Sequence, residues 1–141
     1  MKKKYKYGII LPLKESYLKK SSGAVSIFVN EYLKNSKLKK NTIVFTNKLN
    51  GEYLNKNVNE IDGQGIFFSN LNYIKKICKT SNFLDLDHIE IHNRPLYAKY
   101  IKKNYPNKKI TLFLHNTFYE KNSTLNKEKK KYLLFNCDSI V

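Results

Sequence analysis

The sequence predicts an α/β domain of three layers, a mostly parallel sheet with helices on both faces. Three observations predict it. Short apolar runs alternate with stretches of helical periodicity from one end of the chain to the other. No internal repeat breaks that alternation. A length of 141 residues, 41% hydrophobic and 13% aromatic, suits one folded domain with a single sizeable core.

Gly8-Ile9-Ile10-Leu11-Pro12-Leu13 is an apolar run bounded by charge, as expected for a first strand buried on both faces. Lys14 to Ser22 is polar and reads as a loop, with Ser21 or Ser22 able to cap a helix start. Val25, Phe28, Val29, Tyr32 and Leu33 then fall at i, i+3, i+4, i+7 and i+8, one apolar stripe on a helix that Asn35 to Asn41 closes. Thr42-Ile43-Val44-Phe45 is a second strand. Asn47 to Asp62 is a polar stretch with a turn signal at Asn50-Gly51, and Ile66-Phe67-Phe68 reads as a short third strand.

Leu71, Ile74, Ile77 and Cys78 repeat with helical spacing. Asp87 to His92 has the period of a strand, with Ile89 and Ile91 on one side and His88, Glu90 and His92 on the other. Pro95 suits the first turn of a helix carrying Tyr97, Ile101 and Tyr105 four residues apart. Ile110 to Leu114 is another apolar run, Asn126 to Phe135 a helix, and Ser139-Ile140-Val141 opens a further strand. Strand and helix in such alternation call for right-handed crossovers between parallel strands.

The formal net charge is +16, and Arg94 is the one arginine among 27 basic residues. A lysine excess beside abundant asparagine, isoleucine and tyrosine fits a bias toward A/T-rich codons; it equally suits phosphate-bearing partners. A basic nucleic-acid-binding module is the rival reading on charge alone. It lacks zinc-finger spacing, an RRM aromatic signature, and a basic region followed by heptads. Cys78 and Cys137 have no C-x-x-C spacing and read as small apolar residues in a reducing compartment. Tyr7 to Leu13 is far shorter than the roughly 20 residues a membrane span needs, so a cytoplasmic location is expected.

In open parallel sheets ligands bind beyond the carboxyl ends of the strands. That directs attention to Ser22-Gly23 after the first strand, to Asn93-Arg94-Pro95 after the strand ending at His92, and to His115-Asn116 after the Ile110 run. A helix beginning at Gly23 can turn backbone N–H groups toward a phosphate, although neither G-x-G-x-x-G nor a P-loop is present. His88 and His92 lie roughly 13 Å apart on a strand, at about 3.3 Å per residue, so they cannot share a metal ion. Arg94 offers a planar fork suited to carboxylate or phosphate.

These positions together resemble the N-terminal domain of GT-B glycosyltransferases of family 4, especially bacterial members acting in lipopolysaccharide core or surface-glycan assembly. The resemblance rests on Ser21-Ser22-Gly23-Ala24 before the first helix and on Glu90-Ile91-His92-Asn93-Arg94-Pro95, which is close to an "hHNRP" strand end. Lys108 to Leu114 with His115-Asn116 follows. Leu133 to Val141 resembles the stretch leading into the family's "FVS" strand. Two positions depart: Ser22 stands where a second glycine is common, and Thr117-Phe118 where relatives often have Asp-Pro.

The resemblance implies a Rossmann-like domain, the acceptor-side half of a two-domain enzyme whose donor-binding half lies outside these residues, so that this stretch alone is not expected to turn over. It implies retaining transfer of a hexose-type unit from a nucleotide sugar to a glycan or glycolipid acceptor, without a metal or other cofactor. It also implies Ser22 and Gly23 near the donor diphosphate, His115 as the catalytic residue, contacting the donor sugar or orienting the acceptor, and His92, Asn93, Arg94 and Asn116 on the acceptor side. Peripheral docking on an anionic inner leaflet would use the lysines at about 1 kcal/mol each.

Overall fold

The computed structural model describes residues 5–63, 65, 68–115, 131 and 137–141. Its core is a six-stranded sheet, all parallel: β1 (Tyr7–Ile10), β2 (Thr42–Asn47), β3 (Val58–Ile61), β4 (His88–His92), β5 (Lys109–Phe113) and β6 (Ser139–Ile140). The strands lie in the order β3-β2-β1-β4-β5-β6. The domain is thus α/β and Rossmann-like. Tyr7 pairs with Thr42 on one side and His88 on the other, and His88 in turn with Lys109, which keeps the strand ends in step.

Alternating side chains of β1 and β2 enter two different cores, which is why these strands read as unbroken apolar runs. Ile9, Leu11 and Val44 pack with Val25, Val29 and Leu33 of α1 (Ala24–Asn35) on one face. Ile10, Ile43, Phe45, Ile89, Ile91, Ile110 and Leu112 pack on the other. There they meet α2 (Asn70–Cys78), α3 (Ser81–Leu84) and α4 (Pro95–Asn104), through Tyr73, Ile74, Ile77, Phe83, Tyr97 and Ile101. The three layers follow directly.

Sequence and structure differ at the third strand. Phe68 is not in a strand, and Ile66 and Phe67 lie outside the described residues; the sheet takes Val58–Ile61 instead, from within the stretch read as polar. An edge strand is paired along one side only and half solvated, so Val58 and Ile61 suffice to seat it, one on each face. The helix expected over Asn126–Phe135 lies, Lys131 apart, outside the described residues. Within α1 and α2, Phe28 and Leu71 are exposed members of their stripes, while Tyr73 takes the buried place beside Ile74. Cys78 is buried, its thiol raised to about 12 by desolvation, and Cys137 is half-buried; both are free.

Helix ends are charge-matched. Lys34, Lys75, Lys76, Lys102 and Lys103 occupy last turns, where a cation meets the negative end of the helix dipole. In a parallel α/β sheet those ends lie at the amino edge of the strands. These five lysines therefore lie away from the carboxyl edge. Among the described residues no helix is long and apolar enough to cross a membrane.

The loop after β1 is tied to the helical layer by one phenol. Tyr97, fully buried, donates to Asn70 Oδ1 at 2.6 Å and accepts from the Leu13 N–H at 3.3 Å. Tyr97→Phe leaves both without that partner and should cost about 1–2 kcal/mol in urea unfolding. A loss indistinguishable from zero would show that the phenol does not hold the loop.

Candidate functional site

β1, β4 and β5 are parallel neighbours, so the segments that follow them emerge along one edge. Gly23 caps the start of α1, Asn93 and Arg94 follow β4, and His115 comes two residues after β5. Strand order reverses between β1 and β4. From there the chain builds outward through β2 and β3 on one side and β5 and β6 on the other.

His92 ends β4 and is 0% exposed. Its ring stacks on Phe113 at 4.9 Å and 9°, and lies edge to edge with that of His115, the centroids 5.1 Å apart and the planes within 20°. His92 Nδ1 lies 2.8 Å from His115 Nε2, a hydrogen bond between two imidazoles. From α1, Phe28 meets His115 edge-on at 5.1 Å and 78° and touches both His92 and Phe113. Phe28 is 45% exposed and His115 is also exposed, so the cluster has a buried floor and an open rim.

Asn93 holds the backbone of the second histidine. Its φ of 54° lies in the left-handed region, which asparagine tolerates better than most residues. In that conformation its N–H donates to the Phe113 carbonyl at 2.8 Å and its Oδ1 accepts from the His115 N–H at 2.8 Å. Arg94 Nη1 donates to the Asn93 carbonyl at 2.9 Å. Three residues grouped by sequence as acceptor contacts thus have structural bonds of their own. His92 and Asn93 grip His115, and Arg94 grips Asn93.

Burial is the main reason that the His92 imidazole is lowered to about 3, with neighbouring His115 adding to the effect. Among the described residues its Nε2 has no hydrogen-bond partner. Two residues back on the same face, Glu90 accepts from the Tyr32 hydroxyl at 2.9 Å while Oε2 has no partner among the described residues, and burial raises its carboxyl. His88 Nε2 bonds Thr111 Oγ1 at 2.8 Å. The three polar residues of β4 share a face, and each makes a separate contact. Among the described residues no group of three His, Cys, Asp or Glu side chains could hold a metal ion.

The start of α1 is arranged differently from its sequence reading. Ser22 Oγ donates back to the Leu18 carbonyl at 2.6 Å, and the Gly23 N–H donates to the Ser16 carbonyl at 3.1 Å. Neither serine caps the helix. That role falls to Glu15, whose Oε1 accepts from the Ser26 N–H at 2.9 Å, the same amide an N-cap side chain would take. A Cβ on Gly23 would collide with all three atoms of the Glu15 carboxyl group. Glycine leaves room here for the carboxylate to cap the helix, and its φ of −76° is ordinary. A phosphate reaching this amide would have to displace a carboxylate already in place.

Beside that loop lies an open cleft of about 510 Å³, lined by Leu13, Lys14, Glu15, Ser16, Leu18, Ser21, Asn47, Leu49, Asn50 and Gly63. It sits over the β1-β2-β3 half of the edge, whereas the histidine cluster sits over β4 and β5. Asn116 lies outside the described residues. Sequence reasoning missed two participants. Phe28 was absorbed into the apolar stripe of its helix, and nothing local marks Glu15 as a cap for a helix 11 residues on.

Glu15→Ala should lose about 1 kcal/mol, the usual worth of a cap. Gly23→Ala should be destabilising in the native background, because the methyl expels the carboxylate, yet close to neutral in Glu15→Ala. Equal costs in the two backgrounds would break the link. For His92, the unfolded chain takes up a proton near its ordinary pH of 6.5 that the folded chain refuses until about 3. Its contribution is complete above 6.5 and drains as pH falls toward 3, by about 1.4 kcal/mol per unit. Urea melts between pH 6 and 4 should show a shallower decline for His92→Phe than for the native chain, and parallel declines would refute the assignment.

Comparison of the chain with protein-family models, with curated proteins and with solved structures finds no match.

Proposed function

We propose that this domain is the acceptor-side half of a retaining glycosyltransferase, one that moves a sugar from a nucleotide-sugar donor to a glycan or glycolipid acceptor of surface-polysaccharide type. One observation carries the reading: an exposed imidazole, His115, gripped by a buried histidine and an asparagine next to a half-exposed phenyl ring at the carboxyl edge of a parallel sheet. Sugars need both kinds of group. An aromatic ring takes the apolar face of a pyranose, and a fixed nitrogen meets one of its hydroxyls.

Retaining transfer passes through an oxocarbenium-like transition state, and most of the catalytic work lies in holding polar groups where charge will appear. In this reading His115 contacts the sugar at the reacting centre, and Phe28 walls the acceptor side. His92, Asn93 and Arg94 act beneath them as support. The diphosphate side of the crevice falls to the loop at Ser22 and Gly23, where binding would exchange Glu15 for the ligand's own negative charge.

The test uses the whole chain, labelled with 15N and titrated with a panel of oligosaccharide and glycolipid headgroup acceptors. Amide shifts should move at Phe28, Asn93 and His115, and His115→Ala should weaken that binding roughly fivefold to tenfold, the worth of about one hydrogen bond. If no acceptor moves these amides while a DNA or RNA oligonucleotide binds saturably and with strong salt dependence, the charge reading prevails and the sugar reading fails.

A further inference from the structure

The His92–His115 bond carries more than support, because only one placement of its proton is compatible with the burial of His92. The two rings share one hydrogen between Nδ1 of the first and Nε2 of the second, 2.8 Å apart. If His115 were the donor, neutral His92 would have to carry its own hydrogen on Nε2. That atom is buried and, among the described residues, without a partner. A buried N–H with no acceptor is among the rarest and costliest states in folded proteins, whereas a bare lone pair is tolerated more readily. With His92 as donor, its hydrogen sits on Nδ1 and Nε2 keeps only the lone pair.

The consequence passes to His115. Its Nε2 becomes the acceptor, so a neutral His115 ring must carry its hydrogen on Nδ1. No described residue bonds Nδ1. The ring is further fixed by Phe28 at its edge and by Asn93 on its backbone N–H. Free histidine side chains in water favour the opposite form, hydrogen on Nε2, and which form a protein holds is set by the bond made at the other nitrogen. Here that bond comes from His92.

We propose that His92 is a positioning residue that locks His115 in the Nδ1–H tautomer, so that His115 meets its ligand as a hydrogen-bond donor to an oxygen rather than as a base. The idea deepens the sugar-acceptor reading, since it names the partner atom: a hydroxyl or ring oxygen with a lone pair turned toward Nδ1. A donor locked before the ligand arrives needs no reorganisation when charge develops. His92 does this without touching the ligand, from its place beneath the rim.

The tautomer can be read with no ligand present, so its failure is separate from failure of the acceptor reading. Long-range 1H–15N correlation at pH 7 on the whole labelled chain should show His115 with a protonated Nδ1 and a bare Nε2. His92→Phe removes the donor, and His115 should move to the Nε2–H form. His92→Asn sets an amide where Nδ1 stood and should restore the Nδ1–H form, a rescue that a purely space-filling role for His92 would not produce. Native His115 found with its hydrogen on Nε2 overturns the proposal, even if the Phe variant fails to fold. So does an unchanged tautomer in a folded His92→Phe chain.

Discussion

Two-sided burial of the parallel strands β1, β4 and β5 is the constraint on which the remaining features depend. Each strand gives alternate residues to α1 and to the α2-α4 layer, so a polar side chain within a strand can survive only with a partner or at the edge. Parallel pairing then sends every following segment out at the same edge. The concentration of histidine, asparagine and arginine there results from the packing rule.

β4 is where that rule is strained. Glu90 and His92 lie on a buried face, each with one polar atom unpaired among the described residues, at sites where an apolar residue would be cheaper. Phe28, Tyr32 and Phe113 enclose them with aromatic surface, which deepens the desolvation and accounts for the directions of both shifts. Unpaired buried groups persist where the geometry they impose is used. Here the geometry imposed is that of His115.

The helix ends show the same logic applied to charge. Lysines sit on the negative ends of α1, α2 and α4, and Glu15 supplies negative charge to the positive end of α1 from a separate loop. The domain therefore keeps its own anion at the one helix start where sequence suggested a phosphate. Gly23 is small because the Glu15 carboxyl group must pass over it.

Sequence by itself determined the layers and the order of elements, because the period two of Ile89 and Ile91, set by an apolar face against a polar one, and the four-residue spacing of Tyr97, Ile101 and Tyr105 are local properties. It also placed Gly23, Asn93 and His115 at one edge, since in a parallel sheet chain order and edge are coupled. It misplaced the third strand, because an edge strand needs only two apolar residues and Val58 and Ile61 are too sparse to show a period. Tertiary structure alone decided that His92 is buried beneath His115, that Phe28 closes over both, and that Glu15 caps α1. Each of those facts depends on side chains far apart in the chain meeting across β4, β5 and α1, and no short-range pattern records such a meeting.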